Sequence, residues 1–226
     1  VAKAAPDGYR LVIAVPDSVT IYPSLKKIRP YSAEKDLAPI SQVAEAHFAF
    51  VVNSKNPASN MAEFVRALKS RPAGQGASYA SPGSGSPMHI LGEMFNKAAG
   101  TRLSHIPYKG VAPAVNDLIG GHVPTTFMTW GPIAPYAGGK VNVLAVADAQ
   151  RSPLAPNVPT LAELGVKDVE VSAWQGLFGP KGMKPETVKL LNTDLNEILK
   201  MPDVVSKMAT FGALPAGGEP ARLEKT

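Results

Sequence analysis

The chain has 226 residues, 45% hydrophobic and 18% charged, enough apolar material for a proper core and unlike a disordered polymer. Cysteine is absent, which excludes disulfides, thiol nucleophiles and cysteine metal sites. The net charge of +5 suits an anion binder, but the lysines and arginines are scattered and not interleaved with aromatics, which argues against nucleic acid as a partner. No window approaches the roughly 18 to 20 apolar residues of a membrane span. Val1 to Asp7 lacks the apolar segment of a secretory leader, so the chain reads as cytosolic or as already processed.

In chain order, Val1 to Ala5 reads as the end of a helix closed by the turn Pro6-Asp7-Gly8. The run Leu11 to Val15 is apolar and β-branched, which predicts a buried strand, and the polar loop 16–20 follows it. Tyr22 to Leu25 predicts a short irregular helix, broken by Arg29-Pro30-Tyr31. Strands follow at Ile40 to Ala44 and Ala49 to Asn53, joined by the short link 45–48. Met61, Phe64, Val65 and Leu68 share one face of a helix over 60–69, and Arg71 to Gly76 reads as a lobe boundary. A strand over 76–80 leads into a helix over 88–99. After it come a strand at 103–107, a helix at 111–119, a strand at 123–128, a short helix at 131–137 and a strand at 141–147. Thr160 to Gly165 predicts a short helix, and Val169 to Ala173 a strand that runs on to Gly179. Pro185 to Lys200 is the clearest helix, and 203–211 a further short one. This alternation predicts α/β architecture with mainly parallel sheets, in which ligands sit at the carboxyl ends of strands.

One stretch stands out on that map. Ser81-Pro82-Gly83-Ser84-Gly85-Ser86 joins a strand to a helix through two glycines, three serines and a proline. Two readings fit. Ser86 followed by Pro87 is a good capping pair and needs no ligand. A strand-to-helix turn also leaves the first helical N–H groups without acceptors beside the positive end of the macrodipole, which suits a carboxylate or phosphate. The stretch lacks the Gly-Lys-Ser/Thr of a P-loop and the Gly-x-Ser-x-Gly of a nucleophile elbow.

Several motifs occur in a fixed order: Ala5-Pro6-Asp7-Gly8-Tyr9, Tyr31-Ser32-Ala33-Glu34-Lys35-Asp36-Leu37-Ala38-Pro39, the serine–glycine loop with His89, His105-Ile106-Pro107-Tyr108-Lys109-Gly110, Gly120-Gly121-His122-Val123, Gly139-Lys140-Val141, and Val158-Pro159-Thr160 with Glu163-Leu164-Gly165. The ordered set resembles the Bug (TctC-like) family, the periplasmic solute receptors of tripartite tricarboxylate transporters, nearly from end to end. The resemblance implies a type II periplasmic-binding-protein (Venus-flytrap) fold, two α/β lobes joined by two crossing strands near Gly76 and Ser172-Ala173-Trp174. It places lobe 1 at 1–74 and 173–226 and lobe 2 at 75–172. It implies a non-enzymatic protein without cofactor or metal that binds a small organic acid through amides, hydroxyls and waters, and that serves membrane subunits of the transporter. Family chains begin with a further strand and a glycine loop and end with a further helix, which this sequence lacks. It therefore reads as a fragment, with its leader not included.

The ligand-binding candidates implied are Ser81, Pro82, Gly83, Ser84, Gly85, Ser86, Ser18, Thr20, Phe48, Met128, Thr129 and Trp130. Met128 stands where the family carries an aspartate that can face a ligand ammonium, so an acid with a hydrocarbon or aromatic body is expected instead. Each residue has a plainer alternative. His89 can be a buried histidine bonded to backbone, Ser18 and Thr20 a solvent loop, Phe48 core packing, and Lys109 part of a structural turn. His47 sits in the short link before Phe48, and Trp174 reads as a hinge or packing residue. The dispersed histidines 47, 89, 105 and 122 do not suggest a metal site. Two other functions stay open: a small-molecule hydrolase with Ser84 as nucleophile, and the effector-sensing domain of a transcription regulator.

Overall fold

The computed structural model describes residues 1–21, 23, 31–71, 77–171 and 173–225. The irregular helix expected at Tyr22 to Leu25, most of the break at 29–31, and both expected crossing points, Gly76 and Ser172, fall wholly or partly outside them. The chain forms two compact units, Val1–Ala46 with Ala173–Thr226, and His47–Ser172.

The first unit is built on a four-stranded sheet of β1 (Val12–Ala14), β2 (Leu37–Ala46), β8 (Ala173–Pro180) and β9 (Leu214–Gly217), in the order β1-β8-β2-β9. Every neighbouring pair is antiparallel, not parallel as the alternation of elements suggested. The chain leaves this unit along β2 and returns along β8, so two strands that lie side by side must run in opposite directions. Ala14, Leu37, Trp174, Phe178 and Leu223 form a buried cluster, with Val12, Val19 and Tyr31 packed against it. Trp174, 6% exposed, is therefore a core residue of this unit. The short helix α1 (Ala33–Asp36) is closed by a reciprocal cap: Ser32 Oγ accepts from the Lys35 N–H and the Asp36 carboxylate accepts from the Ser32 N–H at 2.7 Å. On helix α6 (Pro185–Ile198), the buried Asn192 amide donates to the carbonyls of Ile40 and Gly218, both at 2.8 Å, which ties helix to sheet.

The second unit holds a five-stranded sheet in the order β5-β4-β6-β3-β7. Its strands are β3 (Phe48–Asn53), β4 (Ser78–Ser81), β5 (Ser104–Pro107), β6 (Thr125–Thr129) and β7 (Val141–Val146). β4 is parallel to β5 and β6, whereas β3 is antiparallel to β6 and β7. The carboxyl ends of β4, β5, β6 and β7 and the start of β3 thus share one edge. All six residues of β3 are buried, and the strand is hydrogen-bonded on both sides within this sheet. That is why 47–71 belong to the second unit, although the sequence pattern puts the first boundary near residue 74. Phe50 is the centre of the core. Its ring lies 4.9 Å from Phe95 of helix α3 (Pro87–Ala99), 5.1 Å from Phe64 of helix α2 (Met61–Lys69) and 5.0 Å from Phe127 of β6. These edge-on and stacked contacts add to the area buried.

Some expected elements do not form. Residues 1–5 are turns, and 169–171 precede β8 without pairing. At 160–165 the capping box is made: Thr160 Oγ1 accepts from the Glu163 N–H and the Glu163 carboxylate from the Thr160 N–H. The Val166 N–H then closes back on the Leu161 carbonyl, and the helix stops after one turn. α1, β9 and helix α8 (Pro220–Glu224) have too little periodicity to be read from sequence.

Candidate functional site

The shared edge of the second sheet gathers most of the predicted residues. The loop 82–86 follows β4, and Thr129 and Trp130 end β6 and start the short helix α5 (Trp130–Ile133). β4 and β6 are hydrogen-bonded neighbours running the same way, so their two outgoing turns lie side by side. The register puts Phe48 opposite Thr129, at the start of β3. Ser18 and Thr20 belong to the other unit.

Bond by bond, the loop divides into spent and unspent groups. Ser81 is fully buried, with Oγ 2.6 Å from His105 Nε2 and 2.9 Å from the Gly83 carbonyl oxygen, and accepts from the Gly83 N–H. Ser86 is the N-cap of α3: its Oγ accepts from the His89 N–H and donates to the Gly83 carbonyl at 2.8 Å. The Gly85 N–H donates to His89 Nδ1 at 3.1 Å. Gly85 sits at φ 84°, where a side chain would be strained. What is left is Ser84. It is exposed, and among the described residues neither its N–H nor its hydroxyl meets a partner in the chain. The Met88 N–H, on the second residue of α3, likewise has no acceptor there. Capping and anion binding are thus not exclusive: Ser86 and His89 satisfy part of the helix start, and two amides at its positive end stay available.

A polar stack supports the loop from below. The rings of His89 and His105 lie 3.9 Å apart at 16°, and His105 stacks in turn on Tyr79 at 5.1 Å. The Tyr79 hydroxyl donates to Glu93 Oε1 at 2.7 Å and also lies 3.1 Å from the His89 carbonyl. Burial, reinforced by Glu93, pushes the Tyr79 phenol well above its ordinary value, so it stays a donor. Burial, then the neighbouring His89 ring, lowers the His105 pKa below 6.5 and favours the neutral form. Gly92 makes room for this arrangement, because a Cβ built there would overlap the Tyr79 ring. On the other side, the Tyr108 and Gly110 N–H groups donate to the carbonyls of Ser81 and Pro82, and the Tyr108 hydroxyl to Asp117 at 2.6 Å. Tyr108 is pushed up to about 12 by burial and that bond. Tyr108-Lys109-Gly110 is thereby a structural turn braced against the loop, with Lys109 exposed.

Other predicted residues sit differently. Met128 is fully buried, so it does not present an apolar surface in this structure, and Phe48, 2% exposed, has the core packing that was its plainer alternative. Both lie on strands inside the sheet ladder, where burial takes the side chain. Thr129 and Trp130 are half-buried at the rim. In the first unit the Ser18 hydroxyl donates to the Val15 carbonyl at 2.9 Å and that of Thr20 to the Pro16 carbonyl at 2.7 Å. These bonds close the turn Asp17–Ile21, where burial raises the Asp17 pKa. A pocket of about 450 Å³ in that unit is lined by Ala38, Pro39, Met183, Val188 and Asn192, whose amide is spent on carbonyls. Lys189 and Glu219 also line it, one charge of each sign. Sequence reasoning passed over one feature of the rim, a 2.8 Å side-chain contact between His47 Nδ1 and Asp148 Oδ2. Asp148 lies two residues past the end of β7, far away in sequence, and only the β3–β7 pairing brings the two together. Among the described residues no three His, Cys, Asp or Glu side chains are grouped to hold a metal ion, and no helix is long and apolar enough to cross a membrane.

Residues 1–225 match the tripartite tricarboxylate transporter family receptor, TctC. The chain belongs to this family. Among its relatives are a UPF0065 protein of Bordetella bronchiseptica, 36% identical over 98% of this chain and 64% of that protein, and the protein BugT of Bordetella pertussis, 34% identical over 97% and 67%. The chain thus spans about two thirds of the length of these curated relatives. Among solved structures, it is similar to a Rhodopseudomonas palustris protein solved with adipate, at TM-score 0.88 and 29% identity over 100% of this chain and 75% of that one. It is also similar to MatC of that organism with bound malate, at TM-score 0.80 and 26% identity over 100% and 77%, and to the periplasmic binding protein BugD, at TM-score 0.82 and 32% identity over 100% and 75%. TctC chains are receptors of the Venus-flytrap fold type, and their solved relatives are periplasmic binding proteins.

Proposed function

We propose that this chain is the binding portion of a periplasmic receptor that captures a small organic acid and delivers it to the membrane subunits of a tripartite tricarboxylate-type transporter. The observation that carries the reading is the pair of uncommitted amides, Ser84 and Met88, at the start of the 13-residue helix α3. Both lie near the positive end of that helix, beside an uncommitted Ser84 hydroxyl. A carboxylate satisfies these groups without a counter-charged side chain. Trp130, on the neighbouring turn, supplies a half-buried aromatic surface for the acid's hydrocarbon body. The adipate and malate of two solved relatives favour the same ligand class.

A hydrolase using Ser84 gains no support. The hydroxyl that meets a histidine is that of Ser81, which is fully buried and also within bonding reach of the Gly83 carbonyl. The effector domain of a transcription regulator is disfavoured by the family match over 1–225. The test is calorimetry of the full-length protein against aliphatic and aromatic mono-, di- and tricarboxylates, with product analysis after incubation. Saturable binding of an acid recovered unchanged supports the receptor. Turnover that is lost in Ser84→Ala overturns it.

A further inference from the structure

The rim carries a second polar group that the serine–glycine loop does not explain. Ala49 pairs with Val146 and the Ala147 N–H donates to the Phe48 carbonyl, which brings His47 and Asp148 opposite each other just past the β3–β7 ladder. Their side chains are 16% and 28% exposed, so the pair is mostly enclosed yet still open to the rim. An ionised carboxylate only accepts, so the proton of the 2.8 Å contact is on His47 Nδ1. Asp148 Oδ1 accepts from the Ala149 N–H at 2.7 Å. Each carboxylate oxygen thus takes one donor and keeps capacity for another. The pair's net charge is minus one with a neutral imidazole and zero with a protonated one. It is never positive, so it attracts donors and does not attract a second carboxylate.

Its place on the sheet sets a length. β6 lies between β4 and β3, and β7 lies beyond β3. At the usual strand spacing of about 4.8 Å, the loop after β4 is roughly 10 Å from the start of β3 and roughly 14 Å from the end of β7. Between them stand Thr129 and Trp130. We propose that the His47–Asp148 pair is the distal specificity pole of the rim, which takes a hydrogen-bond-donating group, hydroxyl or ammonium, at the far end of an elongated acid. This rests on the reading that the acid's carboxylate sits at Ser84 and Met88. Asp148 accepts from the distal donor, and His47 orients Asp148 and offsets its charge.

The test is calorimetry of the full-length protein with four six-carbon probes: hexanoate, 6-hydroxyhexanoate, 6-aminohexanoate and adipate. The proposal expects the hydroxy or amino acid to bind at least tenfold tighter than hexanoate, and adipate to bind more weakly than the preferred one. Asp148→Asn, nearly isosteric, is expected to reduce the preference to threefold or less while hexanoate affinity stays within twofold. Asp148→Ala is expected to do the same, with circular dichroism to verify folding. Wild-type binding of all four acids with equal affinity, or a uniform loss across them in folded Asp148→Asn, overturns the distal pole and leaves the carboxylate reading standing. Binding of none of the four, while another carboxylate of the wider screen binds, overturns the distal pole and leaves the carboxylate reading standing; binding of no carboxylate at all removes both.

Discussion

The loop 82–86 of the second unit and the turn Asp17–Ile21 of the first look alike on paper. Each follows a strand and each is rich in hydroxyls. Their hydrogen bonds separate them. In the turn, the hydroxyl protons of Ser18 and Thr20 go to the carbonyls of Val15 and Pro16 just before it, at 2.9 and 2.7 Å. In the loop, Ser81 and Ser86 and the Gly85 amide are spent on scaffolding, and that scaffolding leaves Ser84 and the Met88 amide without partners among the described residues. Residue types alone do not make an anion site. What counts is which donors remain once the fold has used its share.

The contrast can be broken most severely at Gly92. Gly92→Ala drives a Cβ into the Tyr79 ring and forces α3 off β4, which costs about 3 kcal/mol despite the better helix propensity of alanine. Denaturant unfolding measures this, and acid binding is expected to disappear with it. Ser84→Asp puts a carboxylate beside the uncommitted amides and repels the ligand. A loss of affinity of about 100-fold is expected by calorimetry, at unchanged stability. Trp130→Ala weakens binding by about 1–2 kcal/mol if the acid's body lies on the indole, and an unaltered affinity rejects that role. Ser18→Ala and Thr20→Val lower stability by about 1 kcal/mol each. They leave affinity within twofold, and a larger loss would assign the turn a part in binding.

The smallest effect is one of pH. The fold favours neutral His105, through burial first and the stacked His89 second. The native state therefore binds fewer protons than the unfolded chain between the lowered value and 6.5. Stability from this source is fully present above 6.5 and is lost as pH falls through that window. Unfolding midpoints at pH 7.5 and 5 are expected to differ by less in His105→Gln than in the wild type.

Periodicity made α2, α3, α4 (Val111–Gly120) and α6 legible, and the continuous apolar run made β3 legible. The strand–loop–helix turn at 81–86 and its Ser86 cap were legible too, because glycine, proline and cap residues act locally. Strand direction was not. Whether β3 lies parallel or antiparallel to β6 depends on where the chain passes between units, which no short window records. The exposure of Met128 and Phe48 was not legible for a related reason. Sequence position brings them to the end and the start of rim strands, but burial in the ladder decides whether they present a surface. The His47–Asp148 pair was invisible because its partners are 101 residues apart and meet only through β3–β7 pairing.

The central claim is that the uncommitted amides after β4 hold a carboxylate. Amide chemical shifts of the ¹⁵N-labelled full-length protein, followed during titration with the tightest-binding acid of a carboxylate screen, test it directly. The account predicts large, saturable shifts at Ser84 and Met88, with only minor changes at Ser18 and Thr20. Saturable shifts confined to the turn Asp17–Ile21, with Ser84 and Met88 unmoved, would contradict it.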